Sequence, residues 1–172
     1  MSEAHFSKFE AINTGEFSTL SVLEDGAWGR LFDFRVLVTL ANYFKPYRLK
    51  SGQTLFEQGD GAGFVCLIAS GTIEVFKEDT SGQLKKLINM KAGKTLGEMS
   101  LIDGEPRSAT CRAGKEAEVL ILDEARFEAL KEAHPQVALA LVTSLAKEIS
   151  RRLRRTTGTL LASPVESDHL LF

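Results

Sequence analysis

Between Tyr47 and Met90 short apolar runs alternate with turn residues about every ten positions, and this rhythm restricts the fold more than any other feature. The runs are Tyr47–Lys50, Thr54–Glu57, Phe64–Ser70, Thr72–Lys77 and Leu84–Met90. The breaks are Ser51-Gly52, Gly59-Asp60-Gly61, Gly71, Ser81-Gly82 and Ala92-Gly93. Many short strands with glycine turns argue for a sandwich or a jelly-roll barrel. Ala117–Leu122 reads as the last strand. Gly59, Gly61 and Gly63 do not make a dinucleotide fingerprint. Its last glycine would fall on Phe64, and a strand follows where a helix is needed.

Helical spacing flanks the strands. Phe34, Leu37, Ala41 and Phe44, widened by Leu31, Val38 and Leu40, predict a helix over 30–44 that Pro46 ends. Beyond the last strand, Asp123 can cap a helix over 124–133 with Phe127 and Leu130 inward. Pro135 suits the first turn of a long helix to about Thr157, with Gly158 as its stop. Its stripe is Leu141, Leu145, Ile149 and Leu153, flanked by Ala138, Val142 and Ala146. At the start, Phe6, Phe9 and Ile12, then Phe17, Leu20 and Leu23, predict two short amphipathic pieces that pack on the domain or dock a partner.

The expected fold is mainly β with α, an eight-stranded β jelly-roll barrel flanked by N-terminal helices and C-terminal helices. Residues 1–28 form the N-terminal extension and 29–157 the domain, with the barrel at about 47–123 and the C-terminal helices at 124–157. Residues 158–172 are a tail in which Leu170-Leu171-Phe172 could dock.

The chemistry concentrates between Leu96 and Thr110. Gly97 lacks a Cβ, so backbone there can approach a ligand closely. Residues 98–102 can form one helical turn with free N–H groups. Arg107 can hold a phosphate through two parallel bonds, and Ser108 adds a hydroxyl donor. Ionised Glu98 only accepts hydrogen bonds, so it calls for a donor such as a ribose hydroxyl. Pro106 biases Glu105 to an extended conformation and delivers Arg107 into a strand.

Gly97-Glu98-Met99-Ser100-Leu101, followed by Pro106-Arg107-Ser108-Ala109-Thr110, resembles the phosphate-binding cassette of cyclic nucleotide-binding domains. These occur in regulatory subunits of cAMP-dependent kinase, in the catabolite activator protein and in cyclic-nucleotide-gated channels. The turn at Gly59-Asp60, the run Val65-Cys66-Leu67-Ile68, and Gly71 before Ile73 and Val75 resemble the family's barrel. The resemblance implies that Glu98 accepts from the ribose 2′-hydroxyl and Arg107 pairs with the cyclic phosphate. Ser108 would face phosphate or base, while Gly97, Met99, Ser100 and Ala109 would line the site. The long helix after the barrel would cover the base and report binding. Ser108 stands between the alanine common in cAMP-selective kinase domains and the threonine of cGMP-selective ones, and its hydroxyl could reach the phosphate or the exocyclic amine of guanine; the expected ligand is cAMP in preference to cGMP.

Other classes fit less well. A net charge of −2 gives no general pull toward nucleic acid or membrane. Arg151, Arg152, Arg154 and Arg155 read as a solvated helix end, with contact to an acidic partner or nucleic acid as the alternative. Only about fifteen residues follow the long helix, too few for a helix-turn-helix module. A truncated Crp/Fnr-type transcription regulator therefore stands only as an alternative. His5, His134 and His169 have no ligand spacing for a cupin-type metal enzyme, and no nucleophile–base set suggests an enzyme. Cys66 and Cys111 read as reduced packing residues. No apolar run approaches the ~18 residues of a membrane span, so a cytoplasmic setting is the expectation. The expected protein is a binding module without a cofactor, acting through an unknown protein effector and possibly as a homodimer. The rival is a ligand-free barrel that serves as an interaction module.

Overall fold

A computed structural model describes residues 6–13, 15, 17–61 and 63–162, with side chains as far as residue 158. In chain order the elements are β1 (Glu10–Ala11), α1 (Thr19–Asp25), a 3-10 turn (Trp28–Arg30), α2 (Phe34–Ala41), β2 (Lys45–Leu49), β3 (Thr54–Phe56), β4 (Phe64–Ser70), β5 (Thr72–Glu78), β6 (Leu84–Lys91), β7 (Thr95–Leu96), α3 (Glu98–Asp103), β8 (Thr110–Ala113), β9 (Ala117–Asp123), α4 (Glu124–Ala133) and α5 (Pro135–Ala162).

The strands form two sheets, β1-β2-β9-β4-β7 and β3-β8-β5-β6. Apart from the two-residue β1, this is the expected eight-stranded jelly roll, four strands to a sheet. Alternation along β4 and β9 explains the layers. Cys66, Ile68, Val119 and Ile121 point between the sheets, into a core with Leu55, Phe56, Phe64 and Ile73. Val65, Leu67, Leu120 and Leu122 point the other way and meet Leu37, Leu40, Leu130, Leu141 and Leu145 of the helices. A strand buried on both faces reads as a continuous apolar run, which is what Val65-Cys66-Leu67-Ile68 is. Cys66 and Cys111 are free and buried. Burial pushes the Cys111 thiol up to about 12, so it stays protonated and inert at neutral pH.

The helix starts follow the expected caps. Asp33 accepts from the Val36 N–H at 3.0 Å, and Asp123 from the Arg126 N–H at 2.9 Å. Four expectations need correction. The spacing of Phe6, Phe9 and Ile12 is not helical here: Glu10–Ala11 pairs with Arg48 and Tyr47 on the open edge of β2. A single turn of i, i+3 spacing cannot foresee a partner strand some 37 residues away. Phe6 and Phe9 pack against Tyr47 with ring centroids at 5.7 and 6.1 Å, so these aromatics seal the barrel and leave no stripe for a partner. The helix expected over 30–44 is shorter, and Pro46 lies inside β2. Gly158 does not stop α5, since it lacks the positive φ of a left-handed cap. The stripe of α5 also splits. Ala138, Leu141 and Leu145 are buried on the sheet side, whereas Leu153 is 65% exposed. The tail at 170–172 lies outside the described residues. Among the described residues no helix is long and apolar enough to cross a membrane.

Candidate functional site

β7 passes into α3 through Gly97, which is left-handed at φ 75°. Gly104, also left-handed, closes α3 and returns the chain toward β8. The backbone of Arg107 is then pinned to the β3–β4 turn: its N–H donates to the Asp60 carbonyl at 2.8 Å and its carbonyl accepts from the Gly59 N–H at 2.9 Å. The glycine turn therefore does more than reverse the chain, because it fixes where Arg107 begins.

From there the Arg107 side chain runs inward and is 2% exposed. Nη1 donates to the Gly97 carbonyl and Nη2 to the Phe64 carbonyl, each at 2.9 Å. The guanidinium carbon lies 4.4 Å from the centre of the Phe56 ring and 4.3 Å from that of Phe64. Nε is buried without a partner, and Arg107 forms no salt bridge among the described residues. Burial pulls its pKa down, and the negative charges of Asp60 and Glu98 oppose this. An arginine nevertheless stays charged in a protein. It is a buried cation without a counter-anion, an arrangement that costs free energy until an anion arrives. Gly97 is required twice over. Its φ suits glycine, and a Cβ there would sit 2.3 Å from Arg107 Nη1 and 2.9 Å from the Phe64 carbonyl oxygen.

Glu98, the first residue of α3, is also 2% exposed. Its Oε1 accepts from Arg152 Nη1 of α5 at 2.7 Å. Arg152 Nη2 donates to the Thr95 carbonyl at 3.2 Å. The second carboxylate oxygen, Oε2, is buried with no partner, as is Thr95 Oγ1. Burial pushes the Glu98 carboxyl above its ordinary value, and the Arg152 charge pulls it back. A looser chain of alternating charge continues outward, from Arg152 to Glu148 at 3.8 Å and from Glu148 to Lys94 at 3.9 Å.

An apolar wall faces the open end of the barrel. Ile73 pairs with Met90 and Val75 with Ile88 across β5 and β6, and paired residues share a face. Ile73 and Met90 are buried in the core, yet Ile88 is 54% exposed. The inner face of this sheet is therefore uncovered at Ile88.

The structure thus brings Gly97, Glu98 and Arg107 together and buries Ser100 in α3. Met99 is 45% exposed, Ser108 is exposed and Ala109 half-buried, so these three flank the group. Reading residue types along the chain missed Arg152, Thr95, Phe56 and Phe64. The signal for Arg152 was its position seven residues after Leu145, on the inward face of α5. A wider groove of about 620 Å³ lies between α1 and the end of β4, lined by Trp28, Arg30 and Lys94 among others. It shares no residue with this group, and none of the orphaned buried polar atoms lines it. Among the described residues no cluster of His, Cys, Asp and Glu could hold a metal ion. The chemistry on offer is a buried cation lacking an anion, beside a buried carboxylate with one acceptor oxygen unused.

A family model described as the cyclic nucleotide-binding domain matches residues 46–134. The cyclic AMP receptor protein of Thermus thermophilus is 35% identical over 113 residues, which are 66% of this chain and 50% of that protein. The chain therefore spans half the length of this relative. Among solved structures, a cyclic nucleotide-binding domain from Methylobacillus flagellatus matches with a TM-score of 0.83 over 99% of both chains, at 21% identity, a likeness of fold. The catabolite activator protein of Thermus thermophilus matches with a TM-score of 0.63 at 33% identity, covering 81% of this chain and 61% of that one.

Proposed function

This chain belongs to the cyclic nucleotide-binding domain family, and on that premise we propose that it binds a cyclic nucleotide, cAMP in preference to cGMP, and reports occupancy through α5. The observation that carries the reading is Arg107, buried with no counter-anion and with Nε unused. A cyclic phosphodiester brings one negative charge to this one guanidinium. A linear monophosphate would bring close to two, and its excess charge would stay buried and unpaired. The ribose 2′-hydroxyl donates to Glu98 Oε2, the acceptor left open beside the Arg152 bond. The base lies toward the exposed Ile88 and its half-buried neighbour Val75. The preference for cAMP draws on the 35% identity over 113 residues to a protein named cyclic AMP receptor protein.

The protein's part is binding rather than turnover. The 2′-hydroxyl needs an acceptor, and the Arg152 charge favours the ionised form of a Glu98 carboxyl that burial disfavours. Ligand and docked helix therefore favour the same state, and occupancy holds the end of α5 against α3. A ligand-free interaction module would have no use for a buried unpaired Arg107.

A second reading concerns self-association. Leu139, Val142, Ala146, Ile149 and Leu153 follow a 3-4-3-4 spacing along a flank of α5 beside its core-packed face, where Val142 and Ile149 are half-buried. Leu139 is 62% and Leu153 65% exposed. Together they form the seam along which a second copy would pair.

Calorimetric titration of nucleotide-free protein with cAMP, cGMP and 5′-AMP tests the main reading. The expected result is one site per chain, micromolar or tighter for cAMP, weaker for cGMP and weakest for 5′-AMP. No heat with either cyclic nucleotide would sink it.

A further inference from the structure

We infer that Phe56 and Phe64 are positioning residues for Arg107, an aromatic corner that holds the anion-binding guanidinium in place without neutralising it. This rests on the nucleotide-binding reading and adds how that site keeps its cation ready. Phe56 ends β3 in one sheet and Phe64 begins β4 in the other. Their ring centres are 5.7 Å apart and the rings are inclined at 70°. With the guanidinium carbon at 4.4 and 4.3 Å from the two centres, the cation sits in the corner between the rings. Both sheets of the barrel therefore bear on one side chain.

The alternative holder would be a carboxylate. A carboxylate at hydrogen-bond distance would fix an arginine well, but it would cancel the charge and compete with an incoming phosphate. The quadrupole of an aromatic ring attracts a cation at its face and leaves its charge intact. The two carbonyl bonds, to Gly97 and Phe64, anchor the Nη atoms, and the rings restrain the guanidinium plane. Nε and the second N–H of each Nη are then left as donors for an anion. A long side chain loses much rotamer freedom on being fixed, and here that loss falls on folding rather than on ligand binding. The rings would thus raise affinity for the charged part of the ligand and leave the nucleoside part alone.

The test replaces Phe56, and separately Phe64, with mono-, di- and trifluoro-phenylalanine in the full chain. Fluorination weakens the ring quadrupole and nearly preserves its shape, so packing is retained, as an unchanged circular dichroism spectrum will confirm while Tm falls with the weakened ring–cation attraction. Kd is measured for cAMP and, by competition, for adenosine, which lacks the phosphate. The expected result is a graded loss of cAMP affinity, about two- to thirtyfold at the trifluoro end, with adenosine affinity constant. Phe56→Leu, which keeps apolar bulk without a quadrupole, should lose cAMP affinity to a similar extent. Wild-type binding with a flat fluorination series, or with affinity rising along it, would overturn the positioning role: the rings would then be core filling or competitors for the cation. An equal loss for adenosine would overturn it too, by showing a general change in the pocket. No binding of cAMP or cGMP to the wild type would remove the nucleotide reading itself, and this inference with it.

Discussion

Replacing Arg152 with a shorter, neutral polar side chain, as in Arg152→Gln, should destabilise the protein in a pH-dependent way. Glu98 is 2% exposed, and the 2.7 Å bond to Arg152 is the one that compensates its charge. Breaking a fully buried ion pair costs about 3–5 kcal/mol. Arg152 itself is 41% exposed, so water already weakens the pair, and about 1–3 kcal/mol is the better figure at neutral pH. Burial raises the folded-state carboxyl above its ordinary value of 4.5, which the unfolded chain keeps. Between those two values the folded state binds more protons than the unfolded one, so stability falls as pH rises through that window. Losing Arg152 pushes the folded value higher and widens the window upward. Near pH 4 the carboxyl is largely protonated in both proteins, and the variant should approach the wild type. At pH 7–8 it should lag by the full 1–3 kcal/mol, or roughly 2–4 °C of Tm per kcal/mol for a chain of this size. Urea unfolding at half-unit steps from pH 4 to 8 measures the difference. A deficit of the same size at every pH, or none at pH 8, would refute the pairing as the state of Glu98.

Three further outcomes follow from the same geometry. Arg107→Ala should weaken cAMP binding by about 100-fold or more, since two charge-assisted bonds are lost, whereas Glu98→Gln, which retains an acceptor oxygen, should cost less; titration calorimetry would contradict these roles if the order were reversed. Gly97→Ala places a methyl group 2.3 Å from Arg107 Nη1 at φ 75°, so both stability, by at least ~1 kcal/mol, and cAMP affinity should fall, and an alanine variant indistinguishable from wild type in melting and binding would count against the close approach. Leu153→Glu, on a position 65% exposed, should leave the fold of each chain intact and shift a dimer to monomer in light scattering, and an unchanged mass would remove the proposed seam.

Much of the architecture could be read from the sequence because its determinants are local. Glycine turns set the β4 and β5 limits to within a residue, and Asp123 places the start of α4 by one side-chain bond. The cassette stood out for the same reason: Gly97, Glu98, Pro106 and Arg107 are rare company within a dozen residues. What could not be read depends on distant partners. The pairing of Glu10–Ala11 with β2 is decided by an open strand edge, not by the spacing of Phe6 and Phe9. Arg152 sits among four arginines whose simplest reading is solvation, and its place on the inward face of α5 gains meaning only from the buried acid 54 positions earlier. Phe64 looked like any first residue of an apolar strand until its carbonyl and its ring were both found against Arg107.

The bonds that assemble this site also set when it can form during synthesis and folding. Arg107 is fixed to Phe64 across 43 positions, and Arg152 to Glu98 and Thr95 across 54 and 57. Contacts of such separation close late, because the chain entropy of long loops must be overcome first. A nascent chain that has left the ribosome as far as β9 already holds Gly97, Glu98 and Arg107, yet has no partner for the acid. Glu98 and the Thr95 carbonyl gain their α5 partner in one step, when Arg152 docks. The arrival of α5 supplies Arg152 to that acid, so docking of this helix is the step that completes the site.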